Sequence, residues 1–220
     1  MKKLLSVLIS TAVVFGMSVT PAFAGTFDPL VQTDLGVMGD EADAPISQQI
    51  PVYGYIGPDT TIVDPDPENP FKPPEFNMTD INVAVPVKIL WAAFASDNGD
   101  ITSPTYQIKN LSLDNDLDVS IINFEEMPGI NTDAADLKDK LTLKIVSAGS
   151  QLGEVDLIDS SHAYTDFRET PYTAPAPLEK GEVGLPKIWN FTIGGEYSGT
   201  FDDNQYTPMY NIEFQFELAQ

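Results

Sequence analysis

The final stretch of this chain sets the class of fold it can adopt. Tyr210, Ile212, Phe214, Phe216 and Leu218 share one parity, and Asn211, Glu213, Gln215 and Glu217 the other. A period of two gives a strand one apolar and one polar face, and it does not match the stripe of a helix. The pattern recurs along the chain. Ile81, Val83, Val85, Val87, Ile89 and Trp91 alternate with Asn82, Ala84, Pro86, Lys88 and Leu90, and Pro86 suggests an edge or a bulge. Leu117, Val119 and Ile121 lead to Phe124. Leu141, Leu143 and Ile145 follow, then Val155 and Leu157, then Phe191 and Ile193. Asp97-Asn98-Gly99-Asp100 reads as a tight Asn-Gly turn, and residues 110–116 as a polar one. The only helical expectation is one or two turns within residues 125–138, with Thr132 or Asp133 as cap. About seven strands, with turns roughly every 8–12 residues, predict an all-β antiparallel sandwich of jelly-roll or immunoglobulin-like kind, with residues 210–218 well packed.

The chain before this body is organised differently. Residues 1–24 have a Lys2-Lys3 start, an apolar middle and a Pro21-Ala22-Phe23-Ala24 ending, the pattern of a secretory signal peptide cut after Ala24. Residues 25–45 are acidic and without period, and read as a loose leader with a weak apolar run at Leu35-Gly36-Val37-Met38. Ile46, Ile50, Val52 and Ile56 then share one parity, with Ser47, Gln49, Tyr53 and Tyr55 on the other, which marks a strand. Pro51 removes one ladder donor, so this strand is expected at an edge or outside the main sheet. Residues 57–77 carry Pro58, Pro65, Pro67, Pro70, Pro73 and Pro74. Proline at this density makes a semi-rigid extended spacer that reaches about 65 Å over residues 57–77 at roughly 3.1 Å per residue. The expected division is a signal peptide over 1–24, a leader and strand arm over 25–56, a proline-rich linker over 57–77 and a sandwich over 78–220.

Charge and chemistry narrow the function. Against 33 acidic side chains stand 11 basic ones, a formal charge of −22. Nucleic acid and anionic lipid both need a basic footprint, so neither is an expected partner, and no membrane contact is expected once the signal peptide is cut. There is no cysteine, which excludes disulfides and thiol chemistry. His162 is the only histidine, so a zinc peptidase or a Ser-His-Asp triad has no support. Paired carboxylates such as Glu125 and Glu126 are lost among the many acids. The chain is expected to be non-enzymatic and to need no cofactor, with Ca²⁺ the one metal its loops suggest. Asp97 and Asp100, then Asp114, Asp116 and Asp118, then Asp202 and Asp203 supply hard oxygen ligands. Asp, Asn and Gly are also the ordinary residues of turns. Tyr172, within the proline-containing loop of residues 160–184, and Trp189, just after it, are the candidates for stacking on a glycan.

Two stretches carry a family resemblance. One runs from Ile89-Leu90-Trp91-Ala92-Ala93-Phe94 into Ile101-Thr102-Ser103-Pro104-Thr105-Tyr106-Gln107-Ile108-Lys109-Asn110. The other joins Phe191-Thr192-Ile193-Gly194-Gly195 to Tyr210-Asn211-Ile212-Glu213-Phe214-Gln215-Phe216. Together they resemble secreted Gram-positive surface proteins, of the WxL-type wall-associated group and of the TasA/camelysin-like biofilm-fibre group. Trp91 is followed by Ala92-Ala93 and Trp189 by Asn190-Phe191, so neither forms a Trp-x-Leu motif. The resemblance implies a jelly-roll-like sandwich and an extracellular surface or matrix role, and it carries over no catalytic residue.

These readings converge on a secreted structural protein that self-associates or binds a cell-surface partner. The expected mechanism is donor-strand addition, in which Ile46, Ile50, Val52 and Ile56 fill a neighbour's groove to build a fibre. The competing expectations are pairing of that strand within its own domain, and a monomeric cell-wall or glycan-binding module.

Overall fold

The computed structural model describes residues 25–27, 35–40, 45–58, 60–62, 81–127, 137, 139–147, 152–182, 184–201 and 206–220. The signal peptide, most of the proline-rich segment, the centre of the expected helix, and Asp202 and Asp203 lie outside them. In chain order the strands are β1 (Thr26–Phe27), β2 (Leu35–Asp40), β3 (Ile46–Gly57), β4 (Thr61–Ile62), β5 (Ile81–Pro86), β6 (Ile89–Phe94), β7 (Ile101–Thr102), β8 (Tyr106–Asn110), β9 (Leu117–Glu126), β10 (Leu141–Ser147), β11 (Glu154–Ile158), β12 (Tyr172–Thr173), β13 (Lys187–Tyr197) and β14 (Met209–Leu218). Glu125 and Glu126 end β9, and the expected helix caps Thr132 and Asp133 lie outside the described residues.

The strands form an all-β, sandwich-like fold. One six-stranded sheet runs β11-β10-β13-β8-β5-β2 and the other β12-β9-β14-β3-β6-β7, with a small β1-β4 ribbon beside them. Two bent strands pass between the sheets. β5 leads into β6 through Val87 and Lys88, so the expected long strand breaks into two at Pro86. β7 leads into β8 through residues 103–105, where Ser103 Oγ accepts the Ile193 amide at 2.7 Å. Strands that switch sheets in this way make the corners of curled sandwiches. The turn expected before β7 is present: Asn98 is left-handed (φ 55°) and the Asp100 amide donates to Asp97 O at 3.1 Å.

Much of the core follows the predicted alternation, but in β5 and β6 both parities are buried, Asn82, Ala84, Lys88 and Leu90 included, and Val87 is only half-buried. Tyr210, Ile212, Phe214 and Phe216 of β14 are buried against Val83, Val85 and Ile89, and β14 is flanked by β9 and β3. Phe191 of β13 lies 5.7 Å from the Tyr106 ring and 6.2 Å from the Phe214 ring, which ties the two sheets together. Tyr106 reaches the corner strand, where its hydroxyl accepts the Leu90 amide at 2.7 Å. Burying a tyrosine is tolerable when its polar tip is paired in this manner.

The N-terminal segments correct three expectations. Leu35–Asp40, read as loose leader, is a strand paired with β5. Residues 46–57 are not an arm outside the body: β3 pairs antiparallel with β14 and parallel with β6. The sandwich therefore takes in strands well before residue 78. Pro51 does not exclude β3 from the main sheet, and the reason is geometric. The Gly54 and Ile56 amides donate to Pro208 O (2.7 Å) and Tyr206 O (2.9 Å), so even-numbered amides face β14. Pro51 faces the other side, one residue before pairing with β6 begins at Val52 and Ile89. No ladder donor is due there, so proline costs nothing.

Candidate functional site

β3 has two unlike halves. From Val52 to Gly57 it is bonded on both sides, and Val52 and Ile56 are fully buried. Over residues 46–51 it is paired with β14 alone, and among the described residues no strand covers its other side. Ile50 is buried and Ile46 half-buried, while Ser47, Gln48 and Gln49 are exposed. The residues expected to fill a neighbour's groove thus fill the protein's own. The outer face of this half is tied down by Glu213, which accepts from Ser47 Oγ at 2.6 Å and from Gln49 Nε2 at 3.3 Å. Gln48 Nε2 donates to Gln49 O at 2.8 Å, which covers one acceptor of the open edge.

Other sheet edges are sealed by the 160–184 segment, which was expected to be a functional loop. Beside β11, the Thr165 amide donates to Leu157 O at 3.0 Å and Asp159 N to Ala163 O at 2.9 Å. Along β9, β12 pairs with Ser120 and Ile121, the Ala174 amide donates to Val119 O, and Leu117 and Leu178 exchange backbone bonds of 3.0 and 2.8 Å. Arg168 continues the cover, bonding Asn123 Oδ1 at 3.0 Å and forming an ion pair with Glu125. Phe167 and Leu178 are buried, which anchors the segment. Unpaired strand edges invite other strands, and covering them with a loop is one of the standard protections.

The two aromatic candidates do not come together. Trp189 is 3% exposed and faces Ile108 in the core, so its ring offers no surface for stacking. Tyr172 is half-buried in the edge cover, and its hydroxyl donates to Leu152 O at 2.6 Å. Burial raises the Tyr172 pKa.

The acidic loops serve as turns. Asp97 closes the Asn-Gly turn through its carbonyl. Asp116 Oδ1 accepts the Lys180 amide at 2.8 Å, and Asp114 O accepts Lys180 Nζ at 3.2 Å. Asp100 is exposed, and Asp118 is half-exposed on β9. Among the described residues no group of three or more acidic or histidine side chains converges as a metal site. His162 is also structural: it takes a left-handed φ of 62° in the turn after β11, and its Nδ1 donates to Leu141 O at 3.0 Å. Asp159 opens that turn, and bonds from the Ser161 hydroxyl and the Ala163 and Ser161 amides lower its pKa.

Two further features had no clear signal in the sequence. Tyr164 and Tyr210 pack with Phe124 near Glu126, at ring separations of 5.1 to 6.1 Å. Burial, reinforced by the Glu126 carboxylate, pushes the Tyr164 pKa up to about 12. Tyr210 is raised further, by burial first and Tyr164 second. The other is a half-open cavity of about 530 Å³ beside the doubly paired half of β3, lined by Tyr53, Tyr55, Ile62, Leu90, Thr207 and Met209 among others. Its lining mixes residues from β3, β4, β6 and β14, which are far apart in the chain.

No protein-family model matches this chain, and no curated protein matches it. Among the described residues no helix is long and apolar enough to cross a membrane.

Proposed function

We propose that this protein is an exported, non-catalytic structural subunit of a surface or matrix assembly, joined to its neighbours by β-strand addition at β3. The observation that carries this reading is that among the described residues no strand covers the second side of residues 46–51, whereas the 160–184 segment covers the edges along β9 and β11. In a chain of net charge −22, that half of β3 holds no charged residue. Natural edge strands that must stay single carry lysines, inward charges or bulges. Among the described residues only Pro51 and the Gln48 side chain blunt this edge, and an added strand meets exposed, neutral Ser47, Gln48 and Gln49. Addition at this free edge requires no strand to leave the fold. Exchange of the whole of β3 would instead remove Ile50, Val52 and Ile56 from the core.

The test compares residues 25–220 with the variant Gln48→Lys by sedimentation velocity and negative-stain microscopy over a concentration series. Gln48 is exposed at an inward-facing position, so a lysine there places a charge against an incoming sheet. The expected result is concentration-dependent assembly that the variant loses while keeping its melting temperature. A parent protein that stays monomeric at every concentration, with and without Ca²⁺, overturns the reading. A monomeric glycan-binding module has less support, because it relied on Trp189.

A further inference from the structure

We infer that residues 159–178 form a terminating strap: they lay a row of spent or missing backbone donors along the edges of β11 and β9, so that no strand of another chain extends the two sheets there. The inference concerns where strands are refused, and it does not rest on the contact proposed at β3.

The strap has two parts that remove donors in different ways. Over residues 159–170 carboxylates and turns take them. Asp159 Oδ1 accepts the Ser161 and Ala163 amides at 2.8 and 3.1 Å, and Asp166 Oδ1 accepts those of Arg168 and Glu169, both at 3.1 Å. The Phe167 and Thr170 amides donate to Thr165 O and Asp166 O, each at 3.1 Å. Thr165 faces β11 instead, giving its amide to Leu157 O at 3.0 Å and its hydroxyl to Asp156 O at 2.7 Å. Aspartate-capped turns of this kind bend the chain and leave no extended row for a partner to pair with.

Over residues 171–178 the donors are missing from the sequence itself. The Ala174 amide donates to Val119 O at 2.9 Å. In the antiparallel pairing of β12 with β9 the Tyr172 amide, two residues earlier, therefore faces β9 as well, and the Thr173 amide faces outward. The Leu178 amide returns to β9 at Leu117 O, 2.8 Å away. Positions 171, 175 and 177, each next to a residue bonded to β9, are all proline and all exposed. An extended chain turns its amides to alternate sides, so these are the places where outward donors are due, and proline has none. Thr173 and Ala176 are the residues of this stretch left to donate to an incoming strand. The cover is also fixed in place. Phe167, Ala174 and Leu178 are buried, and Asn110 Nδ2, itself buried, holds the Leu178 and Glu179 carbonyls at 3.0 and 3.2 Å. Proline on an edge strand is one of the ways natural sheets are stopped from growing.

The test restores the missing donors. Pro171→Thr, Pro175→Thr and Pro177→Thr are combined in residues 25–220 carrying Gln48→Lys, which removes the contact proposed at β3. Association is followed by sedimentation velocity over a concentration series, in salt high enough to screen the repulsion between acidic copies. The expected result is association at a concentration about tenfold below any at which the Gln48→Lys protein associates, the scale of one or two added hydrogen bonds, with cooperative melting retained. Adding Thr173→Lys, which sets a charge on the exposed edge, should reverse the gain. Association unchanged by the three replacements overturns the inference. So does a gain that Thr173→Lys leaves in place, because that is the mark of a loosened strap and not of an opened edge. Should the triple variant fail to melt cooperatively, Pro175→Thr alone decides: a gain reversed by Thr173→Lys supports the inference, and no gain overturns it. Failure here leaves the β3 reading standing, and a parent protein that never associates overturns that reading while leaving this comparison valid.

Discussion

The two halves of β3 share one strand and one alternating pattern, yet they do opposite things. Residues 52–57 sit between β14 and β6, with Val52 and Ile56 sealed from water. Residues 46–51 have β14 on one side and no strand on the other among the described residues, with exposed side chains at three successive positions. The difference teaches that a strand's parity says which residues face inward, whereas its number of neighbours decides how much each one stabilises. The same strand can be held from both sides at one end and from one side at the other.

Removing the strand altogether is the most severe challenge to this comparison. A chain starting at residue 58 loses β1 and β2 together with the shared neighbour of β14 and β6, and it should show no cooperative thermal transition by circular dichroism. A truncated chain that melts cooperatively would return β3 to the status of a detachable arm. Next in size is Ile56→Ala in the doubly paired half. A fully buried isoleucine reduced to alanine costs about 2–5 kcal/mol in denaturant unfolding. Ile46→Ala in the open half should cost clearly less, because Ile46 is only half-buried.

Alkaline pH offers a probe of the junction. Tyr210 faces Val52, where the two halves meet, and it packs with Tyr164. Both phenols are raised above the ordinary value of 10.0, Tyr164 to about 12. The unfolded chain therefore gives up these protons at lower pH than the folded one. Stability from these groups is complete below about pH 10, and it declines as pH rises from there through the folded values. Melting temperature measured between pH 9 and 12 should fall, and Tyr164→Phe should flatten the fall. An unchanged slope would mean that the decline comes from other groups. The smallest effect on stability belongs to the open half itself: Gln48→Lys should move unfolding by no more than about 0.5 kcal/mol, since exposed positions rarely do more. A larger loss would show that this end is packed more tightly than an open edge.

Much of the β architecture was legible before the structure. The parity of β14 predicted its inward row, because a two-residue period has one solution on a half-buried strand, and the strand is well packed as expected. The structure explains the shift from odd positions at Leu117, Val119 and Ile121 to an even one at Phe124 by a bulge, where Glu213 faces Asn123 but Phe214 faces Ile121. The candidate sites were less legible. Trp189 looked available because it follows a proline-containing loop, but it alternates with Ile188 and Asn190 and takes the inward side. The aspartates were ambiguous because turn chemistry and calcium chemistry select the same side chains.

The sequence by itself determined which side chains face a core, because alternation is a local property read along one strand. It also determined the absence of thiol chemistry and the strong negative charge. Only the tertiary structure decided which strands are neighbours. It placed β3 inside the sheet despite Pro51, gave residues 46–51 one strand neighbour among the described residues, and folded the 160–184 segment along two edges. Backbone amides and carbonyls are alike in nearly every residue, so side-chain pattern alone does not say which strand they will pair with. That is settled when the apolar faces close on each other and each strand takes the position that buries its own row.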